Sequence, residues 1–164
     1  MLFVKPTLPV IRLRINNRIR LFAQPIVPLN HKLPQTRHFE ILVRLLNEDN
    51  QLVPPDAFIP AAERYNLMGT IDKRIIHDAF EFIHSTHKNH YDVHYAINLS
   101  GNSLNEGDIT VYIETLIKQF DITPQNICFE ITETAAIKNL QNTKQLIKQL
   151  KEIGCQFALD DFGS

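Results

Sequence analysis

NICFEITETAAIKNLQNTKQLIKQLKEIGCQFALDDFGS, residues 126–164, is the stretch that decides the fold. It opens on a β-rich run, NICFEIT. Leu146, Ile147, Leu150 and Ile153 then recur at helical spacing, and Gly154 supplies the residue type that most readily ends a helix. CQFALDD follows as a second apolar strand running into a glycine loop. Working backwards, VHYAINLS from Val93 is another strand, and Ile109, Ile113, Leu116, Ile117 and Phe120 mark one face of a helix after it. The second half therefore reads strand, helix, strand, helix, strand with short connections. Alternation of this kind implies a parallel sheet with helical crossovers, because parallel neighbours cannot be joined by a tight turn. A doubly wound sheet and a (β/α)8 barrel both satisfy it.

The first half adds strands and two helices. RLRINNRIRL, Arg12–Leu21, alternates basic and apolar residues around Asn16 and Asn17; asparagine tolerates positive φ, so a hairpin turning there is expected. Its basic stripe is read as a solvated strand face in preference to a phosphate site. LFAQPIVPLN is an apolar run broken by Pro25 and Pro28, and Phe39–Leu46 is a further strand. PPDAFIPAAERYN begins with the residues expected at a helix start, and Ile71, Ile75, Ala79, Phe82 and Ile83 predict a second helix. The domain boundaries predicted are an N-terminal arm over 1–17 and one domain over 18–164.

Of the 164 residues, 44% are hydrophobic and 21% charged, a balance that fits a packed globular chain and argues against disorder. The formal net charge of −1 gives no electrostatic reason to seek nucleic acid or acidic membrane. No apolar run approaches the ~20 residues of a spanning helix, and prolines and arginines break up the start, MLFVKPTLPVIRLR, as a secretory signal. A cytoplasmic protein is expected, with Cys128 and Cys155 as buried thiols on neighbouring strands. The histidines of HSTHKNH (His84, His87, His90) read as a polar helix end.

Four strand-like segments each carry an oxygen-bearing side chain inside an apolar run: Glu40, Asn98, Glu130 and Asp160. The last three lie toward strand C-termini, which share one face in parallel α/β folds and there build sites. A carboxylate in an apolar strand costs several kcal/mol unless it is paired or metal-bound. An all-oxygen ligand set suits magnesium or manganese, and Asp161 is placed to reach a second ion. Arg44, at an even offset from Glu40, shares its face and offers planar, bidentate recognition of a phosphate. Metals beside an arginine suggest phosphoester hydrolysis. Strand-end caps and surface ion pairs are the competing explanation. Glu133 is expected to alternate away from the cavity along a continuing strand.

QPIV (Gln24–Val27), EILVRL (Glu40–Leu45), FIPAAE (Phe58–Glu63), INLS (Ile97–Ser100), FEITET (Phe129–Thr134) and LDDFGS (Leu159–Ser164) occur in the order and spacing of the EAL family. The resemblance covers nearly everything after residue 18. It implies part of a TIM-like (β/α)8 barrel, with about five of eight strands present, and hydrolysis of cyclic di-GMP to linear pGpG with frequent dimerisation. It also implies that Glu40, Asn98, Glu130, Asp160 and Asp161 bind two divalent metals, with Glu40, Asp160 and Asp161 at the catalytic centre. Gln24, Leu42 and Arg44 match substrate-binding positions. The signature reads EIL, with Ile41 in place of alanine; strand alternation turns Ile41 away from the cavity, so a packing change is expected. Ser164 stands where the family has threonine.

The family's later lysine and glutamate have no counterpart before Ser164, so the second metal site is expected to be incomplete. Three readings follow: an inactive remnant of a phosphodiesterase, a non-catalytic regulator that binds cyclic di-GMP or a protein, and an enzyme completed by another chain. A barrel glycosidase using Glu130 and Asp160 is a reading outside the family, distinguished by metal independence.

Overall fold

The computed structural model describes residues 11–14, 18–27, 37–86, 93–105 and 107–161. One mixed seven-stranded sheet runs through them in the order β1-β2-β3-β5-β6-β7, with β4 paired to β3. β1 (Ile11–Arg14) and β2 (Ile19–Ile26) pair antiparallel with Arg14 opposite Arg20. The expected hairpin is therefore present in its strands, while Asn16 and Asn17 lie outside the described residues. β2 pairs antiparallel with β3 (Arg37–Leu46). β5 (Val93–Asn98) joins β3 in parallel through residues 37–41 only. The two-residue β4 (Leu52–Val53) occupies β3's far end at Leu45 and Leu46. β6 (Ile127–Thr132) and β7 (Gln156–Asp160) continue the parallel run. The chain is α/β, with the parallel sheet and crossovers of a partial barrel.

Strand alternation sorts the side chains into two faces. Leu21 and Ala23 of β2, Ile41 of β3, Val93, Tyr95 and Ile97 of β5, and Ile127, Phe129 and Ile131 of β6 are all buried on one face. Against it pack α2 (Met68–Thr86) through Ile76, Ala79, Phe80 and Ile83, α3 (Ile109–Phe120) through Ile113, Leu116 and Ile117, and α5 (Leu140–Ile153) through Leu146 and Leu150. The opposite face carries Gln24, Glu40, Leu42, Arg44, Asn98, Glu130 and Asp160, so a period of two divides core from chemistry. The stacked ring pairs obey it: His38 lies on His94 at 5.0 Å on one face, and Phe39 on Tyr95 at 5.8 Å on the other. Ile41 belongs to the buried core, as the alternation predicts.

The helices start and stop where their residues allow. α1 (Pro55–Arg64) has proline in its first turn, where the missing N–H costs nothing, with Asp56 beside it. α2 begins at Met68, three residues before the periodicity from Ile71 suggests. α5 ends at Gly154, whose φ of 104° lets its N–H reach the carbonyls of Leu150 and Lys151. A Cβ there would also stand 3.3 Å from Gln125 Nε2 and 3.4 Å from Pro124 Cβ. Gly154→Ala is expected to cost about 1–2 kcal/mol, since an L-residue resists the left-handed region; a urea unfolding curve with an unchanged slope checks it.

The structure corrects one expectation at the end of β6. The strand does not continue through Glu133; α4 (Glu133–Lys138) starts there, capped by Thr132, whose hydroxyl accepts from the Ala135 N–H at 3.3 Å. Cys128 and Cys155 are free, and burial is the main cause raising their thiols to about 11 and about 12. Thiols so far above neutrality remain protonated and unreactive. His84 closes the last turn of α2 against the Phe120 ring, and His87 and His90 lie outside the described residues. No helix among the described residues is long and apolar enough to cross a membrane.

Candidate active site

The parallel strands β5, β6 and β7 end at one edge of the sheet, level with the point where β3 leaves its parallel pairing, and the acidic residues gather there. Asn98 is the last residue of β5 and stands level with Glu130 of β6. Glu130 lies level with Ala158, and Asp160, at the end of β7, with Thr132. Glu40 sits opposite Ala96, one same-face step below Asn98. Adjacent strands are about 4.8 Å apart, so side chains on one face of this curved run can converge. They do converge: the Asn98 amide Nδ2 donates to Glu40 Oε1 at 3.0 Å. The Glu130 carboxyl is held above its ordinary range first by burial and then by the charges of Glu40 and Asp160. The charges of Glu40 and Asp160 thus reach Glu130 from two other strands.

Asp161 follows in the left-handed region at φ 56°, a conformation aspartate tolerates better than most residues. Glu40, Leu42, Arg44, Asn98, Asp160 and Asp161 all line a cleft of about 800 Å³. Its size lies within the range of small-molecule sites. Gln24 and Glu130 do not line it. Gln24 is exposed directly opposite Glu40, and half-buried Glu130 reaches the cluster through its charge. Arg44 shares the face of Glu40 and donates through Nη1 to the Val43 carbonyl at 2.7 Å. Register also sets Arg20 opposite Arg44, so the stripe read as a solvated strand face brings a second cation to this edge.

The far wall comes from helices. α1 contributes Asp56, Ile59 and Glu63, and α4 contributes Ala135 and Lys138. Asp72, from α2, was not anticipated. It is only 2% exposed, and its Oδ2 accepts from the Ser100 backbone N–H at 2.9 Å and from the hydroxyls of Ser100 and Ser103 at 2.6 Å each. The signal in sequence was a charged residue on the apolar stripe of α2.

The donor set fits a hard divalent cation. It consists of carboxylates and one amide oxygen, without thiolate or imidazole, and it concentrates negative charge that a cation would neutralise.

An EAL domain sequence profile matches residues 11–164. This chain belongs to the EAL domain family. Among its relatives, the cyclic di-GMP phosphodiesterase PdeB of Shewanella oneidensis is 41% identical over 148 residues, covering 90% of this chain and 17% of PdeB. The cyclic di-GMP phosphodiesterase PdeF of Escherichia coli is 32% identical over 149 residues, covering 91% of this chain and 19% of PdeF. The chain thus spans less than a fifth of either relative. The crystal structure of the FimX EAL domain of Pseudomonas aeruginosa bound to cyclic di-GMP superposes with a TM-score of 0.81 at 29% identity, over 88% of this chain and 57% of that one. The expected fold, part of a TIM-like EAL barrel, is the one observed.

Proposed function

We propose that this EAL chain forms the metal- and phosphate-binding part of a cyclic di-GMP phosphodiesterase site. The observation that carries the reading is the convergence of Glu40, Asn98, Glu130 and Asp160 at the C-terminal ends of parallel strands, beside Arg44 and a cleft of about 800 Å³. In this reading Glu40, Asn98, Glu130 and Asp160 hold one divalent ion, magnesium or manganese, and Asp160 and Asp161 contribute to a second. Bound cations of this kind lower the pKa of water and clamp phosphoryl oxygens. Arg44 holds a phosphate of the substrate through its guanidinium fork, and Leu42 and Gln24 flank the nucleotide. The cleft walls from α1 and α4 limit solvent access on the far side. A cytoplasmic setting and a homodimer belong to the same reading.

The test is a thermal melt of the purified chain with and without cyclic di-GMP and Mn²⁺, followed by chromatography for linear pGpG. Ligand that binds the folded state alone raises the midpoint, by about 2.7 kcal/mol of stability at a hundredfold excess over Kd. A rise with pGpG formation is the expected result. A rise without hydrolysis would make the chain a nucleotide-binding regulator. A melt indifferent to both metal and nucleotide would overturn the proposal.

A further inference from the structure

Asp72 is buried on the apolar stripe of α2, among Met68, Ile75, Ile76 and Ala79, where a carboxylate is costly unless its charge is met by hydrogen bonds. Here they come from the segment that follows β5: the Ser100 N–H, the Ser100 hydroxyl and the Ser103 hydroxyl all converge on Oδ2. That segment is confined on its other side as well, since a Cβ added to Gly101 would lie 3.3 Å from Ala135 Cβ on α4. Between this anchor and β5 is a single residue, Leu99, whose N–H bonds the Glu130 carbonyl at 2.8 Å. Asn98 is the next residue back and bonds Glu40. One short chain of contacts therefore leads from Asp72 through Ser100 and Leu99 to the Asn98 amide and the Glu130 backbone.

We infer that Asp72 is a positioning residue: by pinning Ser100 and Ser103 it fixes the end of β5, and so sets Asn98 against Glu40 and Glu130 for cation binding. The inference rests on the metal reading above and names a determinant of its affinity. Groups that orient metal ligands from outside the ligand set commonly contribute 10–100-fold to affinity. Asp72 acts through the backbone two residues away from Asn98, so the low end applies.

The test is titration calorimetry of the full chain with Mn²⁺ alone, at a temperature where every variant is folded by circular dichroism. Asp72→Ala is expected to bind Mn²⁺ about 10-fold more weakly, and Asp72→Asn, which keeps an acceptor oxygen, to recover part of that loss. Ile76→Ala is the control, because it truncates a fully buried side chain on the same helix that does not hold the loop. It should lower the melting temperature and leave the Mn²⁺ affinity of the folded chain unchanged. If Asp72→Ala also melts lower yet binds Mn²⁺ as tightly as the unsubstituted chain, Asp72 is structural only and the inference fails. Should Asp72→Ala not fold, Asp72→Asn decides: weaker binding supports the assignment and equal binding overturns it. Absence of Mn²⁺ binding by the unsubstituted chain would overturn the metal reading itself, and this assignment with it.

Discussion

Glu130→Gln is expected to weaken the response to divalent metal sharply and, at neutral pH, to raise the melting temperature of the metal-free chain. The two effects have one cause. Glu130 is half-buried between strands that bring Glu40 and Asp160 toward it, and burial together with those charges raises its pKa. A carboxyl whose folded pKa lies above its unfolded value binds protons more tightly when folded, so stability falls as pH rises from the unfolded toward the folded pKa. Above the folded value the penalty for carrying the charge is complete. Glutamine keeps the shape and removes that penalty. The gain should grow as pH rises toward the folded pKa and vanish below the ordinary carboxylate range, where Glu130 is protonated in both states. The same substitution removes a charged ligand, so Mn²⁺ affinity should fall by two orders of magnitude or more, at the upper end of what changes near a metal produce. In the unsubstituted chain, Mn²⁺ affinity should weaken as pH drops through the raised pKa, because proton and cation compete for Glu130. Parallel melts of both proteins from pH 4 to 8, with and without Mn²⁺, provide the check. A metal-free Glu130→Gln that melts below the unsubstituted chain throughout would refute the electrostatic reading of the cluster.

Such a cluster was legible in sequence because each member interrupts an apolar strand. Glu130 lies between Phe129 and Ile131, both buried, and alternation alone places it on the other face. The even offset from Glu40 to Arg44 carried the arginine to the same side for the same reason. Register was not legible. That Asn98 is level with Glu130, and that Glu40 sits a step lower and takes the Asn98 hydrogen bond, depends on pairings between strands that single-strand patterns do not encode. α4 was missed because ETAAIK is too short to complete two helical turns and follows the strand without a glycine or proline. Its start signal was the Thr132 cap. Asp72 was missed although its place on the stripe from Met68 to Ile83 was readable, because its partners Ser100 and Ser103 are 28 and 31 residues away. Local pattern thus specified which side chains face the site, and long-range contacts specify how they are held there.

Restoring the family's alanine in the signature, Ile41→Ala, should destabilise this chain by about 2–5 kcal/mol, lowering the midpoint by roughly 5–15 °C for a protein of this size. Ile41 is 3% exposed and belongs to a row that crosses the sheet beneath the helices: Ala23 opposite Ile41, Ile41 opposite Ile97, Ile97 opposite Phe129, and Phe129 opposite Phe157. Truncating Ile41 leaves a void against Ile97 that neighbouring side chains fill only in part. Phe157→Ala should cost less than the truncation of a fully buried phenylalanine, because Phe157 on β7 is only half-buried. The Ile41 side chain points away from Glu40, so the Mn²⁺ affinity of folded Ile41→Ala should match that of the unsubstituted chain. The combination of lower stability with unchanged metal affinity would locate the departure from the EAL signature in packing. A variant that melts as high as the unsubstituted chain would mean that the row collapses without cost. Weakened Mn²⁺ binding would instead couple the core face to the site, through the backbone that Ile41 shares with Glu40.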